Sequence, residues 1–85
     1  MQFDFGNKEK RVLLEVQGDY WHANPKLYKK SDYTEAQKVN VSKDKKKVKF
    51  ANKHHLHLYH IWEYDILNNN FTILEEIKRK HFNEN

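Results

Sequence analysis

Arg11-Val12-Leu13-Leu14-Glu15-Val16-Gln17 is the stretch whose reading decides the fold class. It is rich in branched residues and predicts a β-strand. Side chains alternate faces along a strand, so Val12, Leu14 and Val16 point one way and Glu15 and Gln17 the other. The first set is expected to pack. The second presents a carboxylate and an amide near the strand end, beside the loop that follows.

Upstream, Met1–Phe5 reads as a short partner strand and Gly6-Asn7-Lys8-Glu9 as the turn of a hairpin. This hairpin lays Asp4 abreast of the far half of the second strand. Downstream, Gly18 to Tyr33 holds the only proline, Pro25, with Asn24 and three tyrosines. It reads as a long loop, a length that marks function in a compact domain. Ser31 or Asp32 is expected to cap a helix running to about Asn52, with Val41, Val48 and Ala51 as its apolar stripe and Asp44 on the same side. Leu56–Trp62 alternates like a third strand. Asn69 or Asn70 is expected to cap a last helix that turns Phe71, Leu74 and Ile77 inward. The order β-β-α-β-α defines an α/β or α+β domain, a small mixed sheet with flanking helices.

The chain has 85 residues, a net charge of +4 and no cysteine. One thin domain of this size buries about 60% of the surface its unfolded form exposes. The lack of cysteine excludes thiolate metal sites and a cysteine nucleophile, and it fits a reducing compartment. No apolar run approaches the roughly 20 residues that span a bilayer, and no signal-peptide core opens the chain. A soluble, cytoplasmic protein with no membrane partner is therefore expected. Positive charge gathers at Lys43, Lys45, Lys46, Lys47 and Lys49 and again at Lys78, Arg79 and Lys80. By itself such a run is a solvated helix face; the overall balance favours an anionic partner.

Asp4 and Glu15 are two carboxylates converging at a sheet edge, a donor set suited to a hard cation such as Mg²⁺. Spacing alone favours two unrelated surface acids. His22, beside two aromatics, reads equally as a general base or as a structural histidine. Periodicity allows, without showing, that Asp44 orients its imidazole. The HHxHxxH run (His54, His55, His57, His60) splits over two strand faces, which disfavours a shared transition-metal ion. Trp62 reads as core, and Glu63 as a salt-bridge residue or third acidic group.

Phe3-Asp4-Phe5, then ten residues between Asp4 and Glu15, then Glu15-Val16-Gln17 resembles the PD-(D/E)xK nuclease motif. Gly18-Asp19-Tyr20-Trp21-His22 resembles the FWH-type signature of very-short-patch (Vsr) mismatch endonucleases. Asn40-Val41-Ser42-Lys43-Asp44 and Ile61-Trp62-Glu63 are similar to further segments of that family. Asp4 to His22 and Asp44 to Trp62 are both eighteen positions, as in Vsr. The resemblance, to Vsr-like homing endonucleases of the EDxHD lineage often encoded in phage introns, runs from Phe3 to about Glu63. It implies a restriction-endonuclease-like (Vsr-like) core acting as a metal-dependent DNA endonuclease. Asp4, Glu15 and the Val16 carbonyl would hold Mg²⁺, or Mn²⁺ in its place. His22 would activate water with Asp44 bonded to it, and Tyr20 and Trp21 would stack on or wedge between bases. Beside such a centre Lys43, Lys45, Lys46 and Lys47 would contact phosphates of double-stranded DNA.

The motif proline is Phe3 here and the motif lysine is Gln17, an uncharged group placed to hydrogen-bond a water or phosphate. Without cysteines no Vsr-type structural zinc is expected. The glutamate that opens the EDxHD pattern would come from a helix before the first strand. The expectation is accordingly a single catalytic domain, residues 1–85, from a longer protein acting in a bacterial or phage-infected cell. Two active sites are needed to cut both strands, which fits a homodimer of the full-length protein. The alternatives are a non-catalytic DNA-binding module on the same fold and a histidine-based metal-binding domain.

Overall fold

The computed structural model describes residues 2–82; Met1, where the first strand was expected to begin, lies outside the described residues. The elements are β1 (Phe5–Asn7), β2 (Val12–Gln17), α1 (Glu35–Lys53), β3 (His57–Trp62), α2 (Glu63–Leu67) and α3 (Thr72–His81), with a 3₁₀ turn at Lys30–Asp32. The sheet order is β1-β2-β3, antiparallel between β1 and β2 and parallel between β2 and β3. A parallel pair needs a crossover, and α1 provides it. This is the expected small mixed sheet with flanking helices, with one additional short helix.

The first hairpin is shifted toward the C-terminus of its expected position. Gly6 and Asn7 belong to the ladder, opposite Leu13 and Val12. The reversal occupies Lys8 to Arg11, closed by the Asn7 side chain accepting from the Lys10 N–H (2.9 Å). Arg11 takes a left-handed backbone conformation, φ 57°. Its guanidinium then donates to the carbonyls of His54 and His55 at the end of α1. A cation at a helix C-terminus meets the negative end of the helix dipole. The turn is thereby fastened to the start of β3, whose His57 N–H bonds the Arg11 carbonyl (2.8 Å).

Helix α1 begins later than Ser31 or Asp32. Those residues lie in the 3₁₀ turn, and Tyr33 leaves it in extended conformation (ψ 135°). The cap is Thr34: its hydroxyl accepts the Gln37 N–H (3.1 Å) while the Gln37 side chain accepts the Thr34 N–H (2.9 Å). This reciprocal pair satisfies two of the donors that a helix start leaves free. Ala51 is buried as expected, but Val48 is exposed, and polar Gln37 is buried as deeply as Ala51.

Both faces of the sheet are covered, each by one helix. Against the Val12–Leu14 face stand Leu74, Ile77 and Phe82, around an apolar cavity of about 220 Å³. Against the Glu15–Gln17 face stands α1, which covers the carboxylate and the amide that this face presents. Glu15 is 7% and Gln17 3% exposed, whereas Val16, expected to pack, is 48% exposed at the strand end. Phe71, also expected inside, is exposed; Ile77 is buried and Leu74 half-buried. Neither Asn69 nor Asn70 is the N-cap of α3, which is Phe71. Asn70 still serves the helix start, accepting from the Thr72 N–H (3.2 Å) and hydroxyl (2.7 Å).

Candidate active site

Asp4 marks where β1 stops. The ladder ends with Phe5 opposite Leu14, and Asp4 precedes it in a bend. There the Asp4 carboxylate, rather than backbone, accepts the Val16 N–H (2.8 Å). One of its oxygens is thus used to anchor the strand end. Glu15 lies buried on the α1 side, and its Oε1 meets the Lys47 ammonium at 2.6 Å. A carboxylate so enclosed requires a partner charge, because desolvation would otherwise penalise it by several kcal/mol.

His22 and Asp44 are the second pair. His22 Nδ1 stands 2.8 Å from Asp44 Oδ2. A carboxylate only accepts, so Nδ1 carries the proton and Nε2 of the neutral ring is the basic nitrogen. The loop that presents His22 is tightly tied. Its backbone N–H bonds the Gly18 carbonyl (3.1 Å), Ala23 bonds Tyr20 (3.2 Å) and Asn24 bonds Asp19 (2.9 Å). Ala23 adopts φ 51° while buried, a left-handed conformation that costs a non-glycine residue about 1 kcal/mol or more.

Helix α1 holds this loop residue by residue. Gln37 Nε2 donates to the Tyr20 carbonyl (2.7 Å), Asn40 Nδ2 to the Trp21 carbonyl (3.0 Å), and Asp44 takes His22. With Lys47 on Glu15, the stripe 37, 40, 44 and 47 advances by three, four and three residues, the spacing of one helix face. The far side of the loop is held by Asp19, 8% exposed. Its Oδ1 accepts from the Asn24 side chain (2.9 Å) and from the Tyr64 N–H in the first turn of α2 (3.1 Å). The N-cap of α2, Trp62, makes no side-chain cap of its own, so Asp19 caps that helix from a distance.

Between the two pairs sits His60, opposite Glu15 in the parallel ladder. Its Nε2 is enclosed without a hydrogen-bond partner among the described residues. Together with Gln17, His22, Asp44, Lys45 and Trp62 it lines an open cleft of about 260 Å³. Desolvation holds the His60 pKa below its ordinary 6.5, with His22 and Lys47 acting in the same sense and Asp44 and Glu15 opposing. The unfolded chain therefore binds this proton more readily than the folded one. His60 imposes no penalty above pH 6.5, and the folded state loses stability as pH falls below that value. His60→Leu should flatten the fall in denaturation midpoint between about pH 7 and pH 5; an unchanged slope would refute this origin. His81 retains a slope of the same sign, since desolvation, His57 and Lys80 lower its pKa too.

The structure thus gathers Glu15, Gln17, His22 and Asp44 on one face, with Asp4 at the adjoining edge bound to Val16. Tyr20 and Trp21 stand outward edge to face, centroids 5.1 Å apart, with Trp21 57% exposed. Lys43, Lys46 and Lys49 are exposed on the outer side of α1, and Lys45 borders the cleft. Lys47 departs from that group by turning inward to Glu15. His57 and Tyr59 face α3, where Tyr59 Oη bonds His81 Nε2 (2.6 Å), while His60 faces α1; the histidine run is divided. Trp62 is half-buried in the cleft wall, and Glu63 opens α2 with Oε1 accepting from the Asp19 N–H (3.4 Å). Among the described residues no group of three or more His, Asp or Glu side chains is gathered to hold a metal ion. Among them, too, no helix is long and apolar enough to cross a membrane.

Asp19, Gln37 and Asn40 are site residues that motif and spacing do not single out, and His60 stands in the cleft apart from the rest of its histidine run. The signal for two of them was present in the helical spacing of Gln37 and Asn40 to Asp44. Comparison with protein families, with curated proteins and with solved structures finds no match to this chain.

Proposed function

We propose that the chain is the catalytic core of a metal-dependent DNA endonuclease with a restriction-endonuclease-like fold, akin to Vsr-like homing endonucleases. The observation that carries this reading is the His22–Asp44 pair (2.8 Å) set on the same sheet face as Glu15, next to Asp4. The first hairpin, the loop that follows it and helix α1 together supply that constellation. The donors suit a hard cation by chemistry: Asp4 and Glu15 are carboxylates at the same end of β2, one on the Val16 N–H and the other already holding a positive charge, the Lys47 ammonium. Mg²⁺ or Mn²⁺ needs only one or two protein carboxylates, because water and phosphate complete its shell.

Asp4, Glu15 and the Val16 carbonyl would hold the ion, which when bound polarises the phosphate and lowers the pKa of water. His22 Nε2 takes the proton of the attacking water. Asp44 stabilises the imidazolium that results. Gln17, on the same face, orients the water or a phosphate oxygen. Exposed Lys43 and Lys46 grip the backbone of duplex DNA, and Tyr20 and Trp21 stack against its bases. Supercoiled plasmid incubated with Mg²⁺ or Mn²⁺ should be nicked. Asp4→Asn should slow nicking by about 100-fold or more, the loss of an ion-binding carboxylate at the reacting centre. Nicking that persists unchanged in this variant would sink the proposal.

The Lys47–Glu15 contact favours one second reading, a DNA-binding module on the same fold that no longer turns over. That protein would bind duplex with steep salt dependence and cut nothing.

A further inference from the structure

Of five lysines between Lys43 and Lys49, four line the outer side of α1 or the cleft rim, and one is drawn in. The Lys47 side chain retains 25% of its exposure and the Glu15 side chain 9%. Their 2.6 Å contact places a full positive charge on a carboxylate that the proposed reaction assigns to a divalent ion. The same ammonium lies 5.3 Å over the Phe3 ring, close enough for cation–π attraction. Phe3 in turn packs on Phe50 of α1, centroids 6.1 Å apart. Lys47 thus has two perches, Glu15 and the Phe3 face, both beside the end of β2. Drawing a lysine inward costs rotamer freedom and ammonium hydration. The compensation is that Glu15 is never left as a bare buried charge.

We infer that Lys47 is a built-in counter-ion that competes with the divalent cation for Glu15 and couples cation binding to DNA binding. This rests on the metal-site reading of Asp4 and Glu15. With no divalent ion bound, the ammonium neutralises Glu15 and keeps the site stable. Entry of the ion moves the ammonium off Glu15. A charge freed beside the site then has a new partner in a DNA phosphate. Cation and duplex therefore bind cooperatively, each tightening the other by the same factor, because such coupling is reciprocal. The resting protein holds divalent ions weakly until DNA arrives.

The test uses Ca²⁺ as the probe, so that binding is read without cleavage, by calorimetry and by thermal unfolding. Lys47→Gln removes the competing charge, and the expected result is Ca²⁺ binding tighter than wild type by about tenfold or more, the scale of a unit charge acting on a divalent ion a few ångströms away. The same variant should melt lower without Ca²⁺ and recover with it, since a ligand that binds only the folded state raises stability. A Lys47→Gln chain that folds only when Ca²⁺ is added, seen by circular dichroism, is the extreme of the same outcome. Lys47→Arg keeps the cation and should behave as wild type. Lys46→Gln, on the outer side, should weaken duplex binding and leave Ca²⁺ affinity unchanged. In wild type a short duplex should tighten Ca²⁺ binding, and in Lys47→Gln that enhancement should disappear. Ca²⁺ affinity equal to or below wild type in Lys47→Gln, with binding still lost in Asp4→Asn, overturns the role of Lys47 alone. No Ca²⁺ binding by wild type, Lys47→Gln or Lys47→Arg overturns the metal-site reading and the inference with it.

Discussion

His22→Ala is expected to lower the rate of plasmid nicking by about 10²–10⁴-fold, the range a positioned general base contributes, with duplex affinity nearly unchanged. The reasons are geometric. Nδ1 is committed to Asp44 at 2.8 Å, so only Nε2 is free to take a proton, and alanine removes both nitrogens. Asp44→Asn is expected to lose activity as well. An amide in that position donates as readily as it accepts, and a donor opposite Nδ1 drives the proton to Nε2, the wrong tautomer for a base. Fluorescence anisotropy on a labelled duplex separates the two effects, because neither residue belongs to the exposed lysine surface. A His22→Ala chain that binds DNA normally and nicks at the wild-type rate would remove His22 from the mechanism.

Asp19→Ala is expected to cost about 2–4 kcal/mol of folding stability, measured by urea denaturation. Hydrogen bonds to a charged group are worth about 1.5–3 kcal/mol each, and Asp19 Oδ1 receives two, from Asn24 and Tyr64. Removing the acceptor strands a deeply buried Asn24 amide and leaves the start of α2 without its cap. Domains of this kind have only about 5–15 kcal/mol in total, so the loss is a large share. Asp19→Asn keeps an acceptor and should fall between. A loss below about 0.5 kcal/mol in the alanine variant, the level of an ordinary surface change, would show that the loop is held elsewhere.

Strands β2 and β3 were legible because alternation and branched side chains leave a strong local signature. The class of the fold followed from them. The start of β1 was not legible, since it depends on one aspartate side chain taking the ladder partner of Val16. The cap of α1 was legible in principle: Thr34 and Gln37 stand at capping-box spacing. Ser31 and Asp32 are equally good cap residues, and only the extended conformation at Tyr33 decides against them. Helix α2 has five residues and depends on Asp19, 45 positions before Tyr64; no local pattern announces it.

The candidate site divides in the same way. The pairing of His22 with Asp44, 2.8 Å apart, was open to a reading by motif and spacing, but the surroundings of the site were not. Glu15 reads as an exposed strand acid because the lysine that permits its burial lies 32 positions away. His60 belongs to a run of histidines that invites one common explanation. Pairing opposite Glu15 gives it a different neighbourhood from His57 and Tyr59.

The stripe of Gln37, Asn40, Asp44 and Lys47 makes α1 a ruler for the site. Four polar marks on one edge set the heights of two carbonyls, an imidazole and a carboxylate. Each residue added to a helix rotates everything beyond it by about 100°. A one-residue insertion within α1 would therefore throw later marks out of phase with earlier ones, whatever residue it added. Substitutions on the outer edge leave the graduation intact. Such a helix tolerates changes of letter far better than changes of length, and its outer lysines are free to be retuned for a partner without disturbing what the inner edge aligns.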